Sequence, residues 1–465
     1  MNASKPHSLQ LDLEECRRRL MHSPPPLDVV APCTIGNGVH VWPKEEVDSW
    51  VAEWQNRPMS PKDFGLWIPA SGAATRMFAP LGQDTSLRGK LWASADSLAF
   101  GNAWKTEVRK RLVQDEEVSP EQAFVVLMDM MEGGQTPKGL VPFHVVEGND
   151  ATKKIESAFG SHIRFWSLVA PQGSSVWFTV PPSHKMAIHD HLEEMCNDKR
   201  LLLHLPIQDP ATNMPALDAN DNWVRDEGGE LLTRPGGHGS LLPLLEEANA
   251  SLVLIRNIDN APSPDWTEER LRWTQAMLAA ARRLGEERDA LLEAIDQEGA
   301  DKSRAEDGLS QFLLPHHDHS WSTRGLKDWL NRPVRVVGVV RNEGQPGGGP
   351  FWVRCGLGND QGRILPQIVE SIELGPGQSD MMAESTHFNP VDMACSLRPG
   401  QSLKPFIDST RYLRTKKQFG GQLARVLEHP GLWNGSMSGW LTKFVEIPPA
   451  CFQPVKSVLD LIDRS

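Results

Sequence analysis

Residues 64–78 read Phe64-Gly-Leu-Trp-Ile-Pro-Ala-Ser-Gly-Ala-Ala-Thr-Arg-Met-Phe78. An apolar run is followed by small residues and then by a helix-like string. That order predicts a strand, a tight turn and a helix. Similar apolar runs recur at Val176–Val180, Leu201–Pro206, Ser251–Ile255, Val334–Val340 and Gln367–Leu374, with helical stretches between several of them. Short, near-continuous apolar strands alternating with helices predict an α/β chain. Its mixed, mostly parallel sheet would carry helices on both faces.

Outward from this stretch the pattern changes twice. Residues 1–60 read as a helical arm, broken at Pro24-Pro25-Pro26 and resuming near Glu45–Trp54. Residues 263–330 open on Ser263-Pro264, and Leu271, Met277, Leu278, Ala281 and Leu284 follow near helical spacing. They read as a helical hairpin inserted between segments 61–262 and 331–465, a packing element or a lid.

The chain has 465 residues, 39% hydrophobic and 23% charged, with a formal net charge of -12. This balance supports a sizeable core. The acidic surface argues against nucleic-acid binding, whose affinity comes from Lys and Arg neutralising phosphates. Small phosphorylated ligands remain compatible with it. The six cysteines form no Cys-x-x-Cys pair and read as thiols of a reducing compartment. The N-terminal stretch has no apolar core of a signal peptide, and no apolar run reaches the ~20 residues of a membrane span, so a cytoplasmic location is expected.

Six stretches could carry chemistry. In Ser71-Gly72-Ala73-Ala74-Thr75-Arg76, small side chains let backbone N–H groups approach phosphate oxygens at a helix start, and Arg76 adds charge. A plain tight turn would need the same small residues. Lys138, in Pro137-Lys138-Gly139, is a movable point charge or a solvated loop residue. Gly236-Gly237-His238-Gly239 suits a backbone pressed against a flat ligand such as a base, or a turn. The apolar strand ending at Asn257, Asp259 and Asn260 places an oxygen donor for Mg²⁺ where α/β sheets bind ligands, or caps the next helix. Glu384–Asp392 gathers His387, Asn389 and Asp392 in one polar loop suited to sugar hydroxyls or a second metal ligand; its Asn-Pro also suits a turn. Lys456 follows Phe452-Gln-Pro-Val near the C-terminus. The loop Asn342–Pro350 and the tract Pro315-His-His-Asp-His-Ser320 read as surface connections.

The order of these stretches resembles that of the UDP-sugar pyrophosphorylase family, which includes UDP-glucose and UDP-N-acetylglucosamine pyrophosphorylases. The matching motifs are Thr75-Arg76-Met77, Pro137-Lys138-Gly139, Gly237-His238-Gly239, Asp259-Asn260, Val369-Glu370 and Leu427-Glu428. The most specific is Phe452-Gln-Pro-Val-Lys456-Ser-Val-Leu-Asp460-Leu461. The likeness covers about residues 64–465. It is nearest to a bacterial branch sharing the Ala-Ser-Gly-Ala-Ala-Thr-Arg-Met, Arg-Pro-Gly-Gly-His-Gly and Thr-His-Phe-Asn-Pro-Val-Asp strings.

The resemblance implies the nucleotide-diphospho-sugar transferase (GT-A-like, Rossmann-like) fold. It implies a Mg²⁺-dependent nucleotidyltransferase that joins UTP, or another nucleoside triphosphate, to a sugar 1-phosphate and releases pyrophosphate. Segment 61–262 would be the nucleotide-binding half and 331–465 the sugar-binding half. Catalytic charge would come from Arg76, Lys138 and Lys456. Ser71, Gly72, Ala73, Ala74 and Thr75 would hold the triphosphate, and Gly236, Gly237, His238 and Gly239 the base. Asn260, Glu370, His387 and Asn389 would read the sugar, and Asp259 and Asp392 would hold the metal. Two other readings use the same fold: a glycosyltransferase consuming a nucleotide-sugar, and a non-catalytic nucleotide-sugar-binding protein. Ser71 and Ala74, at positions usually Gly in the family, motivate the second.

Overall fold

The computed structural model describes residues 12–112, 117–147, 153–296, 302–314, 321–344, 347–355, 362–375 and 377–464. The histidine tract at 315–320 and residues 345 and 346 of the 342–350 loop lie outside them. The chain divides into two compact units, each assembled from three separate segments. The first comprises the chain up to Met59, Ile207–Ile255 and Trp273–Pro448; the second comprises Ser60–Pro206, Arg256–Arg272 and the chain from Pro449.

In the second unit, the strands Phe64–Pro69, Ser175–Thr179 and Leu202–His204 lie parallel in that order. The first two are buried along their whole length. Covered on both faces, they read in sequence as unbroken apolar runs rather than alternating ones. An antiparallel hairpin of Pro142–Glu147 and Lys153–Ser157 stands beside them in the chain. The unit's core is a cluster that includes Ala74, Met77, Phe78, Trp104, Leu127, Val455 and Leu461. The helix Pro120–Met130 feeds this core and starts on a capping box between Ser119 and Gln122.

The first unit holds three sheets. Its largest runs Thr34–Ile35, Gly38–His40, Leu441–Glu446, Val334–Arg341, His387–Ser396 and Leu252–Arg256. Val334–Arg341 is parallel to Leu441–Glu446 and antiparallel to His387–Ser396. Two antiparallel sheets complete it: Val29–Pro32 with Gly348–Arg354 and Ile364–Glu370, and Thr233–Arg234 with Met214–Leu217, Gln422–Glu428 and Leu413–Phe419.

The mixed α/β class expected from sequence is the class observed, with pairings in the main sheets mostly parallel. Three details differ from expectation. The N-terminal segment is not purely helical: three short strands, Val29–Pro32, Thr34–Ile35 and Gly38–His40, lie between the helices Leu13–Met21 and Lys44–Asn56. The 263–330 stretch is one 30-residue helix, Thr267–Asp296, followed by Lys302–Ser310 and Thr323–Leu330, rather than a hairpin of two. The string around His387 is not a loop. It belongs to the strand His387–Ser396, buried throughout, and its register against Val334–Arg341 slips between Gly338 and Val340. A β-bulge absorbs Asn389-Pro390-Val391 there, with Val391 in the left-handed region at φ 56°. All six cysteines are buried. Among the described residues, no helix is long and apolar enough to cross a membrane.

Candidate functional site

The sequence-predicted residues fall into two groups, one in each unit. In the second unit the small-residue turn leaves the strand Phe64–Pro69. Ala70 N–H donates to the carbonyl and the hydroxyl oxygen of Thr179, both at 3.1 Å. Gly72, Ala73, Thr75 and Arg76 are exposed, and Ser71 is partly so. Ala74 is fully buried and its methyl belongs to the apolar core. Its Cβ is therefore a packing group, and the side of the turn that faces solvent carries the smaller residues. The helix Thr75–Gln83 starts directly behind it, so the first-turn N–H groups and Arg76 stand at an exposed end suited to anions.

The turn is strapped to the Pro-Lys-Gly string. Ala74 N–H donates to Thr136 O at 2.9 Å, Lys138 N–H donates to Gly72 O at 3.2 Å, and Ala73 bridges Pro137. The Thr75 hydroxyl donates to Gly134 O at 3.1 Å. Gly133 and Gly134 make the bend that permits this, at φ 65° and 84°. Two motifs some sixty residues apart in sequence are thus one backbone structure. Lys138 reaches Asp259, with Nζ 3.6 Å from Oδ2 and side chains 14% and 24% exposed. Burial pulls the Lys138 ammonium below the usual lysine range, against the pull of Asp259 and Asp460, and nearby Lys456 adds to the lowering.

The C-terminal motif arrives by the same kind of main-chain strap. Val455 N–H donates to Asp259 O at 2.8 Å. Asp460 Oδ2 accepts the N–H groups of Lys456 and Ser457, each at 2.8 Å. Asn260, 1% exposed, is committed to this segment. Its Nδ2 donates to Cys451 O at 3.1 Å, and its Oδ1 accepts Gln453 N–H at 3.1 Å and Arg270 Nη2. Arg270 also donates to Ala450 O and Cys451 O. Asn260 thus fastens the strap. His162, likewise 1% exposed, donates from Nε2 to Ile258 O at 3.2 Å, one residue before Asp259. Burial, with Arg256 nearby, holds the ring well below the usual histidine range, so it stays neutral. The result is a quartet of Lys138, Asp259, Lys456 and Asp460 beside an exposed turn at a helix start.

A hard divalent cation of the Mg²⁺ kind takes one or two carboxylates and completes its shell with water and substrate oxygens. Asp259, partly exposed and in a polar setting, fits that limited demand. Among the described residues, no group of three His, Cys, Asp or Glu forms an all-protein cage.

The first unit carries Gly236–Gly239, Glu370, His387, Asn389 and Asp392. The glycines have a reason inside the chain. A Cβ on Gly236 would stand 2.6 Å from His429 Cδ2, one on Gly237 2.8 Å from Glu428 Oε2, and one on Gly239 1.9 Å from Pro430 O. The turn is pressed against the end of the strand Gln422–Glu428, and His429 N–H donates to Gly236 O at 2.8 Å. His238 is exposed, its ring centroid 5.1 Å from that of Trp433. Glu428 engages Lys417, with Arg234 at 3.5 Å. Burial would raise its proton affinity, but Lys417 and Arg234 outweigh that and hold it below the usual carboxylate range. Glu370 goes the other way: burial, then Glu373, push it up.

His387, 1% exposed, pairs with Glu446 at 2.7 Å through Nε2, and its Nδ1 lies 2.8 Å from the Thr386 hydroxyl. Asn389 Oδ1 accepts Val391 N–H at 3.1 Å across the bulge. Asp392 is 3% exposed on the same strand. These three are held inside the first unit's sheet, while Glu370 and His238 stand near Trp433, Glu428 and Lys417. Trp433, Lys417, His162 and Arg270 are not marked by any local sequence pattern, because their partners come from distant segments.

Residues 5–465 match the family model described as a domain of unknown function (DUF4301). No curated protein matches the chain. Among solved structures, a UDP-N-acetylglucosamine pyrophosphorylase of Trypanosoma brucei is 11% identical, covers 93% of this chain and 72% of its own, and has a TM-score of 0.48. A UDP-glucose pyrophosphorylase of Leishmania major is 11% identical over 94% of this chain and 69% of its own, with a TM-score of 0.41. A UDP-glucose phosphorylase of Trypanosoma brucei is 13% identical over 94% and 69%, with a TM-score of 0.43.

Proposed function

The chain belongs to the DUF4301 family, and for this member we propose a nucleotidyltransferase that condenses a nucleoside triphosphate with a sugar 1-phosphate and releases pyrophosphate. The observation that carries the reading is the second unit's site. An exposed small-residue turn at a helix start is strapped to Lys138, which meets Asp259, Lys456 and Asp460. Such a site is built for phosphate groups: N–H donors and lysines at short range, in a partly buried setting where charge acts strongly.

In the reaction a sugar 1-phosphate oxygen attacks the α-phosphorus. A new P–O bond forms as the bond to the β-phosphate oxygen breaks in line, and pyrophosphate leaves with the electron pair. Such a transfer needs position and charge stabilisation rather than a protein nucleophile. The turn Ser71–Thr75 holds the triphosphate. Arg76 and Lys138 counter its growing charge, and Lys456 meets a phosphate oxygen. Asp259 is the residue that would hold Mg²⁺, which when bound screens the phosphate charges. In the first unit Gly236–Gly239 is assigned to the base. Glu370 is assigned to the sugar, as are His387 and Asn389 through the sheet that carries them. Asp392 stays a proposed acidic ligand. Asn260 acts by holding the C-terminal strap. UTP is the proposed nucleotide.

The test is pyrophosphate release with Mg²⁺, UTP and a panel of sugar 1-phosphates, with ATP, CTP and GTP as controls. Release with a specific pair is expected, and so is its loss in Lys138→Met. Silence across the panel, with no nucleotide binding by calorimetry, would remove the reading.

A further inference from the structure

We propose that Trp433 is a specificity-determining residue of the first unit: its indole face receives the sugar ring of the nucleotide-sugar, between the carboxylates of Glu370 and Glu428, and the buried Arg335 is the residue that positions it. This rests on the nucleotidyltransferase reading above, in which Glu370 already meets the sugar, and adds Trp433 and Arg335, which no sequence motif marks.

Trp433 is fixed at several points while part of its surface stays open. It lies on the segment that follows the strand Gln422–Glu428 and is only partly buried, whereas Leu432 and Asn434 on either side are fully buried. Its indole N–H donates to Glu370. Its carbonyl accepts Arg335 Nη1 at 2.7 Å. Asn434 Nδ2 donates to Glu373 Oε2 at 2.9 Å, and Glu373 is gripped by Arg411 at 2.7 and 2.8 Å. His238 neighbours it, the ring centroids 5.1 Å apart and the two rings tilted by 42°.

Arg335 is the unusual part. Its side chain is fully buried in the strand Val334–Arg341, and among the described residues no carboxylate stands among its hydrogen-bond partners. Besides the Trp433 carbonyl, it meets the Thr442 hydroxyl and the sulfurs of Met393 and Met437. Nη2 finds no partner among the described residues. Burial lowers the guanidinium to about 9. Taking a guanidinium from water without a counter-ion is costly, and an apolar residue of similar volume would serve stability better. What the guanidinium supplies and an apolar residue cannot is a directed, charge-assisted bond to the Trp433 backbone.

The surroundings define the ligand chemistry. An aromatic face takes the C–H side of a sugar ring, and the two carboxylates accept hydrogen bonds from its hydroxyl groups. Such pairing of a flat apolar wall with a few placed acceptors is how small-molecule sites obtain orientation. Glu428 is kept ionised by Lys417 and Arg234, while Glu370 favours its proton more.

Calorimetric titration of the full chain with UDP and with UDP-glucose tests this. In Trp433→Ala the affinity for UDP-glucose is expected to fall on the order of tenfold, with UDP changed by less than about twofold. Trp433→Phe keeps a flat ring and should retain most of the affinity, which guards against a misfolded alanine variant. Arg335→Met should lower UDP-glucose affinity selectively while its melting temperature holds or rises; equal weakening of both ligands would overturn the positioning role. If Trp433→Ala weakens UDP as much as UDP-glucose, the ring holds the base and the inference fails. Unchanged UDP-glucose affinity in both Trp433 variants overturns it as well. A wild-type chain that binds neither ligand overturns the nucleotidyltransferase reading and takes this inference with it.

Discussion

At the scale of single residues, the second unit's centre is governed by how burial and charge balance at Lys138. Burial lowers its proton affinity, and Asp259 and Asp460 partly restore it against Lys456. If activity needs the ammonium form, the alkaline limb of kcat/KM lies below the ordinary lysine value. Asp460→Asn keeps an acceptor for the N–H groups of Lys456 and Ser457 but removes a negative charge, so it must move that limb to lower pH. A pH–rate profile that stays in place would show that Lys138 is not the titrating group. Residue identities here were only half legible. Lys138 and Lys456 stood out because their motifs are local. The clamp role of Asn260 did not, because Cys451, Gln453 and Arg270 reach it from other parts of the sequence. The glycines of 236–239 were visible, but the cause was not: the backbone of Pro430 occupies the space a side chain would need at Gly239.

At the scale of elements, the strap between residues 256–260 and 449–456 is the feature most open to test. Asn260→Ala removes three buried hydrogen bonds, to Cys451 O, from Gln453 N–H and from Arg270. A loss of about 2–4 kcal/mol is expected. The segment beyond Pro449 should then be cut faster by protease, and turnover should fall because Lys456 is no longer held. Unchanged cleavage of that segment would mean the strap is held by other contacts. Elements with strong local patterns were legible. Phe64–Pro69, Ser175–Thr179, Leu252–Arg256 and Val334–Arg341 are buried, mostly apolar runs, and all four read as strands in sequence. The strands Val29–Pro32, Thr34–Ile35 and Gly38–His40 leave no sequence pattern because they are two to four residues long and broken by Cys33, Gly36 and Asn37. The strand His387–Ser396 reads as a loop in sequence because its polar residues are buried, their hydrogen bonds supplied by Glu446 and by the bulge itself. Local polarity carries no sign of such tertiary partners.

At the scale of the whole molecule, buried neutral histidines set the acid limit. His162 and His429 are held below their ordinary value by burial, His429 at about 4. Between the folded and unfolded values, the unfolded chain binds more protons. Stability is therefore lost as pH falls below about 6.5, by up to ~1.4 kcal/mol per pH unit for each histidine. Thermal unfolding should show a lower midpoint at pH 5.5 than at 7.5, and His429→Gln should flatten that slope. A slope unchanged by the substitution would assign the acid sensitivity to His162 and His40, which burial lowers in the same way, and not to His429. The pairing of Gly38–His40 with Leu441–Glu446 has a consequence for synthesis. Val39 waits for Phe444 across roughly 400 residues, so at ribosomal speeds of ~5–20 residues per second the first unit's sheet stays open for about 20–80 s. During that interval the nascent chain exposes an unpaired edge that later becomes the interior of a finished sheet. The protein's demand for chaperones should therefore follow translation speed more closely than final stability.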